Sequence, residues 1–275
     1  MDYHEYRFQF GPATNSDILL ALLSVYPFDT FEEGDDSLGA FVKSGLIADE
    51  DRFGIERIAE HCDARLTRLI HAPQNWNAVW ESNFEPLRID DFVGLRADFH
   101  PPTENVRFDL VINPKMAFGT GHHATTDMMI RSMQKLDFRG NTVFDYGCGT
   151  GVLAILAKKL GAGRTVAVDI ETPSYENTLE NMRTNRVELD SVLLGTLDDV
   201  PPATFDLLLA NINRNVILDS LPRLSRYSRP GSYLLTSGYR TPDADLMDEA
   251  LTAHGFRQLE RREREGWLCT VSTRV

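Results

Sequence analysis

The chain has 275 residues, 42% of them hydrophobic, and a formal net charge of −13. That length suits two domains with buried cores, and the charge argues against nucleic-acid binding through a basic face, which needs clustered Lys and Arg. No apolar run nears the roughly 18 residues of a membrane span, Met1–Gln9 is too polar for a signal peptide, and three scattered cysteines suit a reducing cytoplasm.

Residues 1 to 72 hold 14 Asp and Glu against 6 Lys and Arg, which is −8 of the total charge. They read as a compact α/β unit. Tyr3–Phe10 alternates polar and apolar residues like a strand, and Ser16–Tyr26 is an apolar helix with Ser16 or Asp17 as its cap. Thr30–Leu38 carries turn and acidic residues. Its run of Glu32, Glu33, Asp35 and Asp36 reads as a solvated loop or, more sharply, as an acidic surface for a basic partner. Asp49–His61 is helical with Ile55, Ile58 and Ala59 on one face, and Arg65–His71 is a further strand. Residues 73–86 form a junction, where an amphipathic helix, Asn75–Phe84, places Trp76, Trp80 and Phe84 on one face to seat the first unit on the second. Residues 87–275 make the larger unit. It starts with a hairpin over Leu87–Phe99 about Asp90-Asp91 and a strand at Phe108–Ile112.

The stretch 113–126 reads NPKMAFGTGHHATT and leads into a helix with Met129, Met133 and Leu136 on one face. His122 and His123 are adjacent and have no Cys or carboxylate at ligand spacing, so no metal site is expected. A general base or a loop histidine that holds backbone shape are the two readings left. Next comes an apolar strand ending in an acid (Val143, Phe144, Asp145), then Gly147-Cys148-Gly149-Thr150-Gly151, a helical run, and a second strand, Thr165–Val168, closed by Asp169. Glycines at alternate positions let a backbone turn sharply and approach a ligand, and the turn opens a helix with unpaired N–H groups. Asp169, about 20 residues on, stands where a strand-end carboxylate accepts both hydroxyls of a ribose. The G-x-G-x-G spacing differs from the dinucleotide fingerprint, and Asp145 would repel a pyrophosphate but suits the ammonium of a cationic amino acid. Cys148, inside the turn, reads as a small apolar filler. Ser232–Ser237 and Trp267–Arg274, flanking a helix at Asp243–His254, would form an antiparallel final hairpin.

The glycine block resembles the first motif of class I S-adenosylmethionine-dependent methyltransferases. With NPKMAFGTGHHATT ahead of it, and with AVDI, LLLANINRNVILDSLPRL and RPGSYLLTSGY after it, the chain from about Trp76 onward resembles the ribosomal protein L11 methyltransferases of the PrmA type. The resemblance implies a doubly wound, seven-stranded Rossmann-like α/β sheet preceded by a small ferredoxin-like α+β domain that recognises the substrate. It also implies methyl transfer from S-adenosylmethionine to amino groups, lysine side chain or N-terminus, of a basic large-subunit ribosomal protein. Carried over by position, Thr126 would lie over the methionine part of the cofactor, Gly147 would admit it, Asp169 would bind the ribose, and Asn211 would stand beside the transferred methyl. Asp145, Gly149 and Gly151 complete the expected cofactor set. His122, Ala124, Asn113 and Lys115 depart from the usual D-P-G-x-A-F-G-T-G-x-H-x-T-T pattern, and Glu171-Thr172-Pro173 replaces the usual Asp-Pro. The fourth strand ends Asn211-Ile212-Asn213-Arg214 where enzymes acting on flat amides carry N-P-P-[YF], which favours an aliphatic amine acceptor. Two other functions fit the same residues: lysine methylation of another protein, and a non-catalytic cofactor-binding module in ribosome assembly. The intact motif acids and glycines argue against the second.

Overall fold

The computed structural model describes residues 3–11, 14, 16–34, 36–71, 85–113, 119 and 121–275. The chain divides into two compact units, Met1–Asn83 and Phe84–Val275. The junction helix expected over Asn75–Phe84, with Trp76 and Trp80, lies outside the described residues.

The first unit runs β1 (Tyr3–Phe10), α1 (Ser16–Leu23), β2 (Thr30–Gly34), β3 (Ser37–Lys43), α2 (Asp49–His61) and β4 (Ala64–His71). Its sheet has the order β2-β3-β1-β4 with every neighbour antiparallel, which is the βαββαβ ferredoxin-like arrangement. Alternation sends Tyr6 and Phe8 of β1 and Leu38, Ala40 and Val42 of β3 to one face. There they meet Leu19 and Leu23 of α1 and Ile55 and Ala59 of α2 in one buried cluster.

Three local expectations change. Helix α1 ends at Leu23 instead of Tyr26 because the chain must turn ahead of Pro27, and a residue before proline disfavours the α conformation. Ser16 is its first helical residue and not its cap. The segment Thr30–Leu38 is a β-hairpin, not a loop: Glu32 pairs with Gly39 and Glu33 with Leu38. An edge strand has one paired side and can carry charge freely, so its sequence reads as a solvated loop. Glu32, Glu33 and Asp36 are exposed, and Asp35 lies outside the described residues.

The second unit opens with a small sheet. Strands β5 (Leu87–Ile89) and β6 (Val93–Arg96) are antiparallel about Asp90, and β7 (Phe108–Val111) joins β6 in parallel. Helix α3 (Ala124–Met133) precedes a seven-stranded sheet built from β8 (Thr142–Tyr146), β9 (Arg164–Asp169), β10 (Ser191–Leu194), β11 (Phe205–Asn211), β12 (Ser228–Arg240), β13 (Phe256–Arg264) and β14 (Trp267–Arg274). The order is β10-β9-β8-β11-β12-β14-β13; the first four pairings are parallel and the last two antiparallel. Helices α4 (Val152–Lys159), α5 (Thr172–Thr184), α6 (Arg214–Leu224) and α7 (Ala244–Ala253) connect the strands.

Successive strand residues enter opposite cores. Val143, Leu207, Leu209 and Leu235 pack with α3 and α4, whereas Phe144, Leu208 and Leu234 pack with α6 and α7. Burial on both faces explains why these strands read as continuous apolar runs. The strand order reverses between β8 and β11, and a crevice outside the carboxyl ends of such strands is where open α/β sheets hold ligands.

The expected antiparallel pairing of Ser232–Ser237 with Trp267–Arg274 is present as β12 against β14, but the two are not a hairpin: β14 hairpins with β13 through Glu265 and Gly266, both at positive φ. Strand β13, FRQLERRER, was not legible because it is an edge strand on which only Phe256 is fully buried.

Candidate cofactor and acceptor site

A cavity of about 560 Å3 opens at the carboxyl ends of β8, β9 and β11. Four of the seven expected site residues form part of its wall: Gly147, Gly149, Asp169 and Asn211. The other three, Thr126, Asp145 and Gly151, stand behind that wall.

The glycine turn is shaped by contact as well as by ligand space. Gly147 adopts φ +73°, and a Cβ there would lie 2.1 Å from Ile212 Cγ2. Across the sheet, Gly238 adopts φ +101°, and a Cβ would lie 2.0 Å from the Ile212 carbonyl oxygen. Ile212 is therefore seated between two strand ends that must both be glycine. Gly151, also left-handed at φ +77°, is the N-cap residue of α4 and packs against Thr178, where a Cβ would lie 2.9 Å from Thr178 Cγ2.

Asp169 closes β9. Gly149 N–H donates to its Oδ2 at 2.8 Å and Glu171 N–H to its Oδ1 at 3.0 Å. A carboxylate has about four lone-pair positions, so two acceptor positions remain for hydroxyl groups in the cavity. The same two bonds fix the rotamer, so the carboxylate is held in place before any ligand arrives.

Asp145 does not face the cavity as an ammonium counter-ion. It is completely buried, Ala154 N–H donates to its Oδ2 at 3.1 Å, and Oδ1 has no partner. Burial raises its carboxyl pKa to about 7, opposed by the Ala154 hydrogen bond and reinforced by the Asp169 charge. Its visible work is to tie the end of β8 to the first turn of α4. Burial also pushes the Cys148 thiol well up, which suits filling and not nucleophilic chemistry.

Asn211, the last residue of β11, is 9% exposed. Its Nδ2 donates to Thr126 Oγ1 at 3.2 Å, and its Oδ1 is buried with no partner. Thr126 is fully buried and thus acts on the cavity through Asn211. That single bond turns the amide so that a bare acceptor remains. An orphaned buried acceptor costs about 1–3 kcal/mol, and unlike Asp145 this one belongs to a residue of the cavity wall.

The histidines separate. His123 is the N-cap of α3, with Thr125 N–H donating to its Nδ1 at 3.3 Å, and its ring packs edge-on against Trp267 at 4.8 Å. His122 Nε2 lies 2.8 Å from the Glu85 carbonyl oxygen. The wall also includes residues that sequence reasoning did not select: Tyr146, Ile170, Thr196, Ile212, Gly238 and Trp267. Ile170 and Ile212 directly follow Asp169 and Asn211 at their strand ends, so strand position was the available signal. Trp267 opens β14, and nothing local in its sequence marks it.

A family model described as "Ribosomal protein L11 methyltransferase (PrmA)" matches residues 39–275. The chain is similar to the ribosomal protein L11 methyltransferase of Porphyromonas gingivalis, 38% identical over 264 residues that cover 92% of this chain and 89% of that one. The protein of the same name from Bacteroides thetaiotaomicron is 32% identical over 280 residues, covering 99% and 100%. A crystal structure of ribosomal protein L11 methylase from Lactobacillus delbrueckii subsp. bulgaricus is similar in fold, with a TM-score of 0.62 at 26% identity, over 70% of this chain and 99% of that one. The matched span begins within β3, so the similarity reaches well before Trp76, where the legible motifs start.

Proposed function

The chain belongs to the ribosomal protein L11 methyltransferase (PrmA) family, and we propose that it transfers methyl groups from S-adenosylmethionine to amino groups of ribosomal protein L11, on lysine side chains, the N-terminus or both. S-adenosylmethionine supplies an electrophilic methyl group on a sulfonium sulfur. The observation that carries the reading is that Asn211, whose Oδ1 has no partner, and Asp169 line one cavity from the strands on either side of β8.

In this reading Asp169 accepts the ribose hydroxyls, and Gly147 and Gly149 line the approach to the cofactor. Asp145, Gly151 and Thr126 support these groups from behind. Asn211 Oδ1 accepts an N–H of the attacking amine and directs its lone pair. A lysine amine has an unperturbed pKa near 10.4 and must lose its proton before it attacks; desolvation in the cavity and a nearby positive charge both favour the neutral form. In-line displacement then depends chiefly on positioning, which the fixed Asn211 amide supplies. Apolar Ile170, Ile212 and Val216 in the wall limit the water that could compete for that acceptor.

The acidic first unit supports a substrate-recognition role toward a basic protein, with residues 73–86 as linker. Such a partner, not nucleic acid, fits a charge of −13, and a cytoplasmic site of action fits a ribosomal substrate. No helix among the described residues is long and apolar enough to cross a membrane. The test is incubation of the protein and labelled methyl donor with total ribosomal protein from cells lacking this gene. Label confined to L11 supports the proposal, and label on another protein replaces the substrate.

A further inference from the structure

The buried face of α5 is polar. Asn177, Thr178 and Asn181 are buried there, and so is Asn185, its C-cap residue. Asparagine within a helix competes with its backbone, and a buried amide needs partners, so two buried asparagines and a threonine on one face, with a third asparagine as the C-cap, require an explanation.

Their partners are mainly the backbone of two other segments. Val111 N–H donates to Asn185 Oδ1 at 2.9 Å, and Asn185 Nδ2 donates to the Val111 carbonyl at 2.6 Å. Two residues on, Asn113 N–H donates to Asn181 Oδ1 at 3.0 Å, and Asn177 Nδ2 donates to the Asn113 carbonyl at 2.7 Å. The helix thus gives the end of β7 the alternate-residue bonding that a neighbouring strand would give. The second segment is the glycine turn. Thr178 Oγ1 donates to the Gly149 carbonyl at 2.9 Å, and Asn181 Nδ2 donates to the Thr150 carbonyl at 2.9 Å. Thr150 Oγ1 donates in turn to the Gly119 carbonyl at 2.7 Å, so Asn113 and Gly119 are both tied to Thr150.

We propose that Thr178 and Asn181 are positioning residues of the cofactor site, holding the Gly149–Thr150 turn from behind and thereby setting affinity for the methyl donor. The proposal rests on the cofactor reading given above. A peptide unit is planar, so fixing the Gly149 and Thr150 carbonyls fixes the Thr150 and Gly151 N–H groups on their far sides. Those N–H groups sit at the opening of α4, and the Gly149 N–H of the same turn holds Asp169 Oδ2. Rotating the turn would therefore move the ribose-binding carboxylate as well. Asn185 serves as an internal comparison, because it makes the same kind of bonds to Val111 but none to the turn.

The experiment measures Kd for S-adenosylmethionine by calorimetry and Tm by scanning calorimetry for Thr178→Val, Asn181→Ala, Asn185→Ala and Thr178→Ser. Thr178→Val and Asn181→Ala should raise Kd about tenfold, Thr178→Ser should restore it, and Asn185→Ala should stay within about twofold while losing at least as much Tm. Thr178→Val barely changes shape and keeps the test open if Asn181→Ala fails to fold. Unchanged Kd in the folded Thr178 variant, or an equal rise in Asn185→Ala, would overturn the proposal and leave the face purely structural. No binding by the unsubstituted protein would instead overturn the cofactor assignment on which it rests.

Discussion

Replacing Asp169 tests the proposed ribose recognition apart from general support of the cavity. In the structure each carboxylate oxygen already accepts one backbone N–H, from Gly149 at 2.8 Å and from Glu171 at 3.0 Å. Asp169→Asn keeps the shape and one acceptor oxygen but removes the charge and one acceptor. Hydrogen bonds to charged groups contribute roughly 1.5–3 kcal/mol each, so the variant should lose about 2 kcal/mol, a factor near thirty in Kd. Asp169→Ala removes both acceptors and frees Gly149 N–H and Glu171 N–H, so about 4 kcal/mol and nearly a thousandfold are expected. Calorimetric titration with S-adenosylmethionine reads both, with circular dichroism to establish that each variant is folded. An Asp169→Asn protein that is folded and binds as tightly as the unsubstituted one would refute the assignment.

Asn211→Ala should lower kcat about a hundredfold because it removes the orienting acceptor, and should cost about 1 kcal/mol of stability with the lost Nδ2 bond to Thr126; single-turnover methyl transfer and thermal unfolding check the two. The Asp145 carboxyl has its pKa raised from 3.8 to about 7 by burial, so the folded protein binds more protons than the unfolded chain between those values. Its contribution to stability is full below pH 3.8 and is lost as pH rises to about 7. Asp145→Asn should therefore gain Tm relative to the unsubstituted protein from pH 5 to 7 and hold a constant difference above, and a difference that does not change with pH would contradict the cause given. Neutralising Glu32, Glu33, Asp35 and Asp36 to amides should slow association with L11 and flatten its salt dependence, since exposed charges act over about 10 Å at 0.1 M salt. Stopped-flow binding at two salt concentrations tests that, and an unchanged salt slope would mean that recognition lies elsewhere.

What could be read from the sequence follows what each element must satisfy locally. The strand–glycine–helix block was legible because positive φ demands glycine and strands buried on both faces demand apolar runs, and both constraints act within a few residues. Strand β13 and the hairpin at Thr30–Leu38 were not, because an edge strand is paired on one side only and can be polar at most positions. Asp145 was identified as a motif residue, but its direction was not, since the partner that turns it inward is a helix N–H nine residues on. The asparagines of α5 look in sequence like a solvated helix face. Only the fold shows that this face meets backbone at Val111, Asn113 and Thr150. Trp267 joins the cavity from the last strand, and no spacing rule connects it to Asn211.

The central claim is that this cavity methylates amino groups of ribosomal protein L11. Purified unmethylated L11, incubated with the protein and S-adenosylmethionine and followed by intact-mass spectrometry with peptide mapping, tests it most directly. The account predicts mass gains in whole methyl increments on lysine or N-terminal amines, appearing far more slowly with Asn211→Ala and Asp169→Ala. Unmodified L11 in the presence of a folded protein that binds S-adenosylmethionine, or methylation at carboxyl or amide groups, would contradict it.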